Sequence, residues 1–178
     1  MRTSESHPLI IAEVILNGAK IGLSLCPGKK QPDALTGSWN RDLDQDLKKI
    51  REEGYDAVLS LIDENEMEDL QVTALQNGAV ISHSMEWIWA PILDGWIPDD
   101  DIFLRFDRAL DIIEEGGSVF VHCKGGLGRA GLVAAWILTH NGRSAKEAIH
   151  EVRSVRSGAI ETGNQEKWIE LKAGVRTH

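Results

Sequence analysis

The stretch from Ser118 to Gly142 constrains this chain more than any other. Ser118-Val-Phe-Val reads as a short apolar strand, residues 122 to 129 as a glycine-rich turn, and Ala130 to Asn141 as a helix that is apolar on nearly every side and is stopped by Gly142. A strand without alternation is buried on both faces, and an all-round apolar helix is buried too, so both must lie inside a layered α/β structure. The rest of the chain alternates in the same way. Ile21 to Cys26 and Ala57 to Ile62 read as strands; Asp42 to Glu53 is a helix with Leu43, Leu47 and Ile50 on one face. Met67 to Asn77 is expected to form a second helix closed by Gly78, Ala79 to Ser82 another strand, and Asp99 to Glu115 one long helix. Ser144 and Glu147 form a capping-box pattern that opens a further helix, and a last helix covers roughly 164 to 173. The expected fold class is α/β, a single domain whose largely parallel sheet has helices on both faces. Residues 1–20 read as a partly flexible lead-in and 21–178 as the domain.

Composition narrows the function classes. Nineteen Lys+Arg against 28 Asp+Glu give a net charge of -9, which repels a phosphate backbone, so no nucleic-acid partner is expected. The apolar run from Ala130 to Leu138 is too short to span a bilayer, and Glu13 interrupts the only signal-like stretch; the expected location is cytoplasmic. Two cysteines cannot make a disulfide framework, and in a reducing compartment each is a buried hydrophobe or a reactive group.

The chemistry lies in His122-Cys123-Lys124-Gly125-Gly126-Leu127-Gly128-Arg129. Between a strand and a helix, backbone amides and the helix N-terminus converge on an anion, so residues 124 to 129 are candidates to cradle phosphate or another oxyanion. Glycines supply the conformations such a loop needs. The same field favours thiolate at Cys123, moving a thiol from about 8.5 toward roughly 3.5 to 7.5. Arg129 brings a planar fork that can hold two nonbridging oxygens.

This run resembles the signature loop of the cysteine-dependent protein phosphatases, and the short chain is similar to the dual-specificity group, in particular to phosphatases associated with cyclin-dependent kinases. The likeness spans about residues 21 to 173, including Leu25-Cys-Pro-Gly, Pro91-Ile-Leu-Asp-Gly, Leu132-Val-Ala-Ala and Ser157-Gly-Ala-Ile. It implies hydrolysis of phosphotyrosine and phosphoserine/threonine in proteins through a phosphocysteine, with no cofactor and no metal. It implies Cys123 as nucleophile, Arg129 as oxyanion clamp and Asp94 as general acid. Asp99, Asp100 and Asp101 are rivals better explained by a helix N-terminus. The resemblance also implies that Gln165 positions the hydrolytic water, against the simpler reading of an exposed helix residue, and that His122 tunes the cysteine. The expected partners are a phosphoprotein substrate and, by the same likeness, a kinase.

Other features stay open on sequence. Cys26 reads as an inert buried thiol, with a disulfide to oxidised Cys123 as the alternative. Trp89 or Trp96 is placed at the pocket mouth, and Arg153 and Arg156 on a solvated helix face. Ala130 stands where most relatives carry Ser or Thr; it also occurs in the regenerating-liver phosphatases. It raises the alternative of a slow phosphate-trapping module. Lys124 raises a phosphoinositide or inositol phosphate substrate, although Leu127 replaces the second lysine expected there. A sulfur transferase has no comparable use for Asp94 and Arg129.

Overall fold

The computed structural model describes residues 1–176. Five strands form one sheet: β1 (Ala12–Leu16), β2 (Ala19–Ser24), β5 (Ala57–Ser60), β6 (Glu86–Trp89) and β7 (Val119–His122), in the order β1-β2-β7-β5-β6. β1 joins β2 antiparallel; the other pairs are parallel. A two-stranded ribbon of β3 (Lys30–Gln31) and β4 (Trp39–Asn40) stands apart. The helices are α1 (Leu43–Glu52), α2 (Glu64–Asp69), the single turn α3 (Leu75–Asn77), α4 (Asp100–Phe103), α5 (Phe106–Glu114), α6 (Gly128–Thr139), α7 (Ala145–Val155) and α8 (Gly163–Lys172).

The strands sort their side chains with period two. Ala57, Leu59, Val119 and Val121 face the larger core with the apolar helix α6, while Val58 and Phe120 face a smaller cluster with Leu47, Ile50 and Tyr55. That two-sided burial is why β7 shows no polar alternation. It sits between β2 and β5, the most enclosed place in the sheet.

Four expectations change. The fold begins before residue 21: Leu9 and Val14 are buried, Ser4 is buried, and β1 pairs with β2 along its whole length, so the lead-in is part of the domain. The expected helix over Met67 to Asn77 starts earlier and breaks. Asp63 and Glu66 make a capping box, then Gln71 takes φ +55 and ends the run. Ala79 to Ser82 is a π-helical turn rather than a strand, because Gly78 continues in helical conformation and leaves Val80 and Ile81 toward solvent; the strand comes later, at Glu86–Trp89. Asp99 to Glu115 is two helices, α4 and α5, with Asp99 as the cap of the first. The capping box of Ser144 and Glu147 is present, and a third unites Thr162 with Gln165.

Register places the site. Ser24 pairs with His122, His122 with Ser60, and Ser60 with Trp89, so four parallel strands end in one row. The segments that follow them, near residues 25–29, 61–66, 90–95 and 123–129, therefore meet at the carboxyl edge, where open α/β sheets bind ligands.

Candidate active site

Cys123 follows β7 directly and is 4% exposed at the wall of a cavity of about 240 Å³, which Lys124, Gly125, Leu127, Asp94, Lys29 and Glu161 also line. Its Sγ accepts the Gly126 N–H at 3.2 Å, an interaction that strengthens with negative charge on sulfur. Gly126 has φ +72, and a Cβ there would lie 2.2 Å from the Ser24 carbonyl carbon, so no other residue fits.

Three successive loop carbonyls are held from behind. The Lys124 carbonyl accepts the Cys26 N–H at 3.4 Å and Lys29 Nζ at 3.3 Å; the Gly125 and Gly126 carbonyls accept Arg156 Nη2 and Nε at 3.1 and 3.0 Å. With the carbonyls so occupied, the N–H edge of the loop is turned toward the cavity, which is the polarity an oxyanion needs. Arg156, expected on a solvated face, thus braces the loop. Arg153 does the same for the following turn through the Ala159 and Ile160 carbonyls.

Arg129 is 1% exposed. Its Nη1 and Nη2 donate to Glu66 at 2.6 and 2.9 Å in a bidentate pair, Nη1 also donates to the Ile92 carbonyl, and Nη2 lies 3.0 Å from Asp94. Burial disfavours the cation, but Glu66, Cys123 and Asp94 outweigh it and hold the guanidinium above its ordinary range. Nε has no hydrogen-bond partner among the described residues, so the edge formed by Nε and Nη2, where the exposed Asp94 now sits, is the one an oxyanion could take. Glu66 was not singled out from the sequence. Its signal was the Asp63-x-x-Glu66 box, which reads as a helix start and carries no hint of Arg129.

Asp94 occupies a turn closed by the Trp96 N–H on the Leu93 carbonyl, with Gly95 at φ +76 in its third position. Its carboxylate is 71% exposed at the cavity mouth. The rival Asp99 caps α4 through the Ile102 N–H, and Asp100 faces Lys172, both on structural duty.

His122 is fully buried between two fixed partners. Nδ1 meets the Cys123 carbonyl at 3.3 Å and Nε2 meets Ser60 Oγ at 2.7 Å, while Trp87 Nε1 donates to the same Ser60 oxygen. A carbonyl only accepts, so Nδ1 carries the proton and Ser60 donates to Nε2. Burial, with a smaller push from Arg129, lowers the imidazole to about 4 despite the bond to Cys123. The unfolded chain therefore binds a proton near pH 6.5 that the folded one refuses until about 4. Stability is full above 6.5 and is expected to fall by up to about 3 kcal/mol as pH drops to 4. Urea titrations across this window should show a shallower loss in His122→Asn than in the wild type; equal slopes would refute the assignment.

Gln165 is not exposed, as the simpler reading had it, but fully buried. Its Oε1 accepts the Glu161 and Thr162 N–H groups, and Nε2 donates to the Trp96 carbonyl at 3.3 Å. It lies above the loop, since a Cβ on Gly128 would meet its amide at 3.2 Å. Trp89 is anchored to the Ile62 carbonyl and stacked on Trp87, away from the cavity that holds Cys123. Cys26 is fully buried with Ile62, Met67, Leu70 and Val72; burial pushes its thiol up, as an inert residue requires, and both cysteines are free thiols.

The family profile described as dual specificity phosphatase, catalytic domain, matches residues 47–173. The chain belongs to that family. It is 30% identical to cyclin-dependent kinase inhibitor 3 of Rattus norvegicus over 158 residues, which cover 84% of this chain and 69% of that protein. It is 41% identical to tyrosine-protein phosphatase CDC14 of Saccharomyces cerevisiae over 80 residues, 44% of this chain and 14% of that one, and 41% identical to the Caenorhabditis elegans protein cdc-14 over a segment covering 9% of its length. The chain thus spans a small part of these longer relatives. Kinase associated phosphatase, solved with its catalytic site cysteine changed to serine, superposes with a TM-score of 0.83 at 25% identity over 97% of this chain and 98% of that one. Tk-PTP in its active form gives 0.69 at 26% identity, over 90% and 97%. The dual-specificity phosphatase fold, and the likeness to the kinase-associated group read from the motif, both hold.

Proposed function

We propose that this dual-specificity phosphatase domain hydrolyses phosphomonoesters on tyrosine, serine and threonine of proteins through a phosphocysteine. The observation that carries the reading is a single cavity that joins the Cys123 sulfur, a loop with its carbonyls held outward, and Asp94 beside the Glu66-locked guanidinium of Arg129. Cys123 Sγ attacks phosphorus as thiolate, and the bond from phosphorus to the leaving oxygen breaks. Asp94 gives that oxygen a proton while Arg129 Nε and Nη2, with the loop amides, hold the charge on the nonbridging oxygens. Water then attacks phosphorus, Asp94 takes its proton, and the P–S bond breaks to return the thiolate. Before the first step a phosphate must take the place of Asp94 on Arg129 Nη2, which frees the carboxyl for the leaving group. Gln165 lies over the loop at Gly128, but its amide is taken up by the helix cap and the Trp96 carbonyl, so its share in positioning water is second to its structural one.

Several features support a phosphoprotein substrate. Two of the relatives named above are called tyrosine-protein phosphatases, one is called a cyclin-dependent kinase inhibitor and one structure a kinase associated phosphatase, and a kinase is the partner we propose by that likeness. The thiol chemistry fits a reducing cytoplasm, the location we propose. No helix among the described residues is long and apolar enough to cross a membrane.

The trap alternative rests on Ala130, which is fully buried and lacks a donor for the departing thiolate. Loss of one donor at such a charge costs about 10²-fold or more in rate. Rapid mixing with an aryl phosphate should therefore give a burst near one equivalent per site followed by slow turnover, and Ala130→Ser should speed the slow phase alone. A burst with no steady phase would favour the trap; no burst and no gain would mean another donor serves.

A further inference from the structure

We propose that the cavity beside the catalytic pocket is an anion subsite, which reads an acidic or phosphorylated side chain flanking the phosphoresidue of a protein substrate. This rests on the phosphoprotein reading above. The cavity measures about 500 Å³ and is separated from the catalytic pocket only by Lys29, Thr36, Gly125 and Leu127, which line both. Among the described residues no carboxylate lines it, although the chain carries a net charge of -9. Arg2, Lys29, Arg41 and Arg156 do.

Of these four, Arg41 is neutralised by a buried bidentate pair with Asp46. Lys29 is 4% exposed and has no carboxylate partner among the described residues. Its acceptors are the neutral Gln31 Oε1 and the Lys124 carbonyl, both at 3.3 Å, and its Nζ lies 5.2 Å from the Trp39 ring centre. Arg2 stacks on the same ring at 5.2 Å and is likewise unpaired with a carboxylate, as is Arg156. Burying a cation without a counter-ion is costly, and burial does lower the Lys29 ammonium. An oxyanion arriving between Lys29 and Arg2 would supply the missing charge and, being next to the loop, would come from the same molecule that presents the phosphate to Cys123.

The walls decide the kind of molecule. Pro8, Leu9, Leu25 and the Trp39 ring give the cavity apolar sides under a cationic rim. That suits a side chain with an apolar stem and an anionic tip. An inositol polyphosphate carries a polar group on every ring carbon, and several would be left unpaired against these sides.

The test uses the full chain and phosphothreonine peptides that differ only in the flanks: alanine throughout, glutamate two and three residues to either side, or a second phosphoresidue there. The anionic flanks are expected to raise kcat/KM by about tenfold or more, mainly through KM. Lys29→Met and Arg2→Gln should each bring the ratio of anionic to neutral peptide toward one. General damage to the catalytic loop lowers both rates and cancels in that ratio. A gain with glutamate assigns a carboxylate as ligand, and a gain only with the second phosphoresidue assigns phosphate; both uphold the subsite. Equal rates for all peptides, or a preference untouched by the two variants, overturn it while leaving the phosphoprotein reading intact. Turnover of inositol hexakisphosphate in preference to every peptide, or of aryl phosphate with no peptide hydrolysed, overturns both.

Discussion

Cys123→Ser is expected to lower turnover of an aryl phosphate by at least about 10⁴-fold, while vanadate still binds the loop of the wild-type protein. An alcohol does not ionise near neutrality, so the variant lacks the anion that attacks phosphorus. The loop should survive the change, because Arg156, Lys29 and the Cys26 amide hold its carbonyls and none depends on the sulfur. Tungstate protection against thermal unfolding can check that directly. Iodoacetate near pH 6 should label Cys123 before Cys26, since the Cys26 thiol is fully buried and pushed up by that burial, whereas Cys123 borders the cavity. Hydrolysis by the serine variant at a rate comparable to the wild type would end the nucleophile assignment, and preferential labelling of Cys26 would end the reactivity argument.

Asp94→Asn should separate substrates by their leaving groups. An alkoxide needs a proton as it departs, so an alkyl phosphate should slow by about 10² to 10⁴-fold, whereas nitrophenyl phosphate, whose leaving anion is stable, should slow by about tenfold or less. Asp94 also faces Arg129 at 3.0 Å, and the asparagine removes that competing carboxylate, so KM for the aryl substrate should fall. Asp99→Asn loses only a helix cap, at about 1 kcal/mol of stability, and should treat both substrates alike. A larger leaving-group dependence in the Asp99 variant would transfer the acid role there.

Much of the site was legible because its local chemistry is contiguous. Cys123 through Arg129 lie in one loop, so composition and spacing alone placed the proposed nucleophile, the glycines and the proposed clamp between a strand and a buried helix. Helix ends were legible for the same reason: Asp42, Ser144 and Glu147 act on neighbours within a few residues. The boundaries failed where the decision was not local. Ala79 to Ser82 has strand-like residues, but the sheet already runs through Glu86–Trp89, and nothing in four apolar residues says which segment a neighbouring strand will choose. β1 went unread because its pairing partner, not its own pattern, makes it a strand.

The supports of the site were decided by the tertiary structure for the same physical reason. Ion pairs and hydrogen bonds between distant residues are set by where the backbone brings them. Glu66 reaches Arg129 across 63 positions, Ser60 reaches His122 across 62, and Arg156 reaches the loop carbonyls across 30 and 31. Each of these residues has an ordinary reading in sequence: a capping acid, a strand serine, an exposed arginine. The sequence by itself determined where the proposed nucleophile, loop and clamp lie, because bonding along the chain keeps residues 123 to 129 together. Only the fold decided which side chains hold them in place, because that depends on four strands ending in one row and on the low-dielectric space their ends enclose.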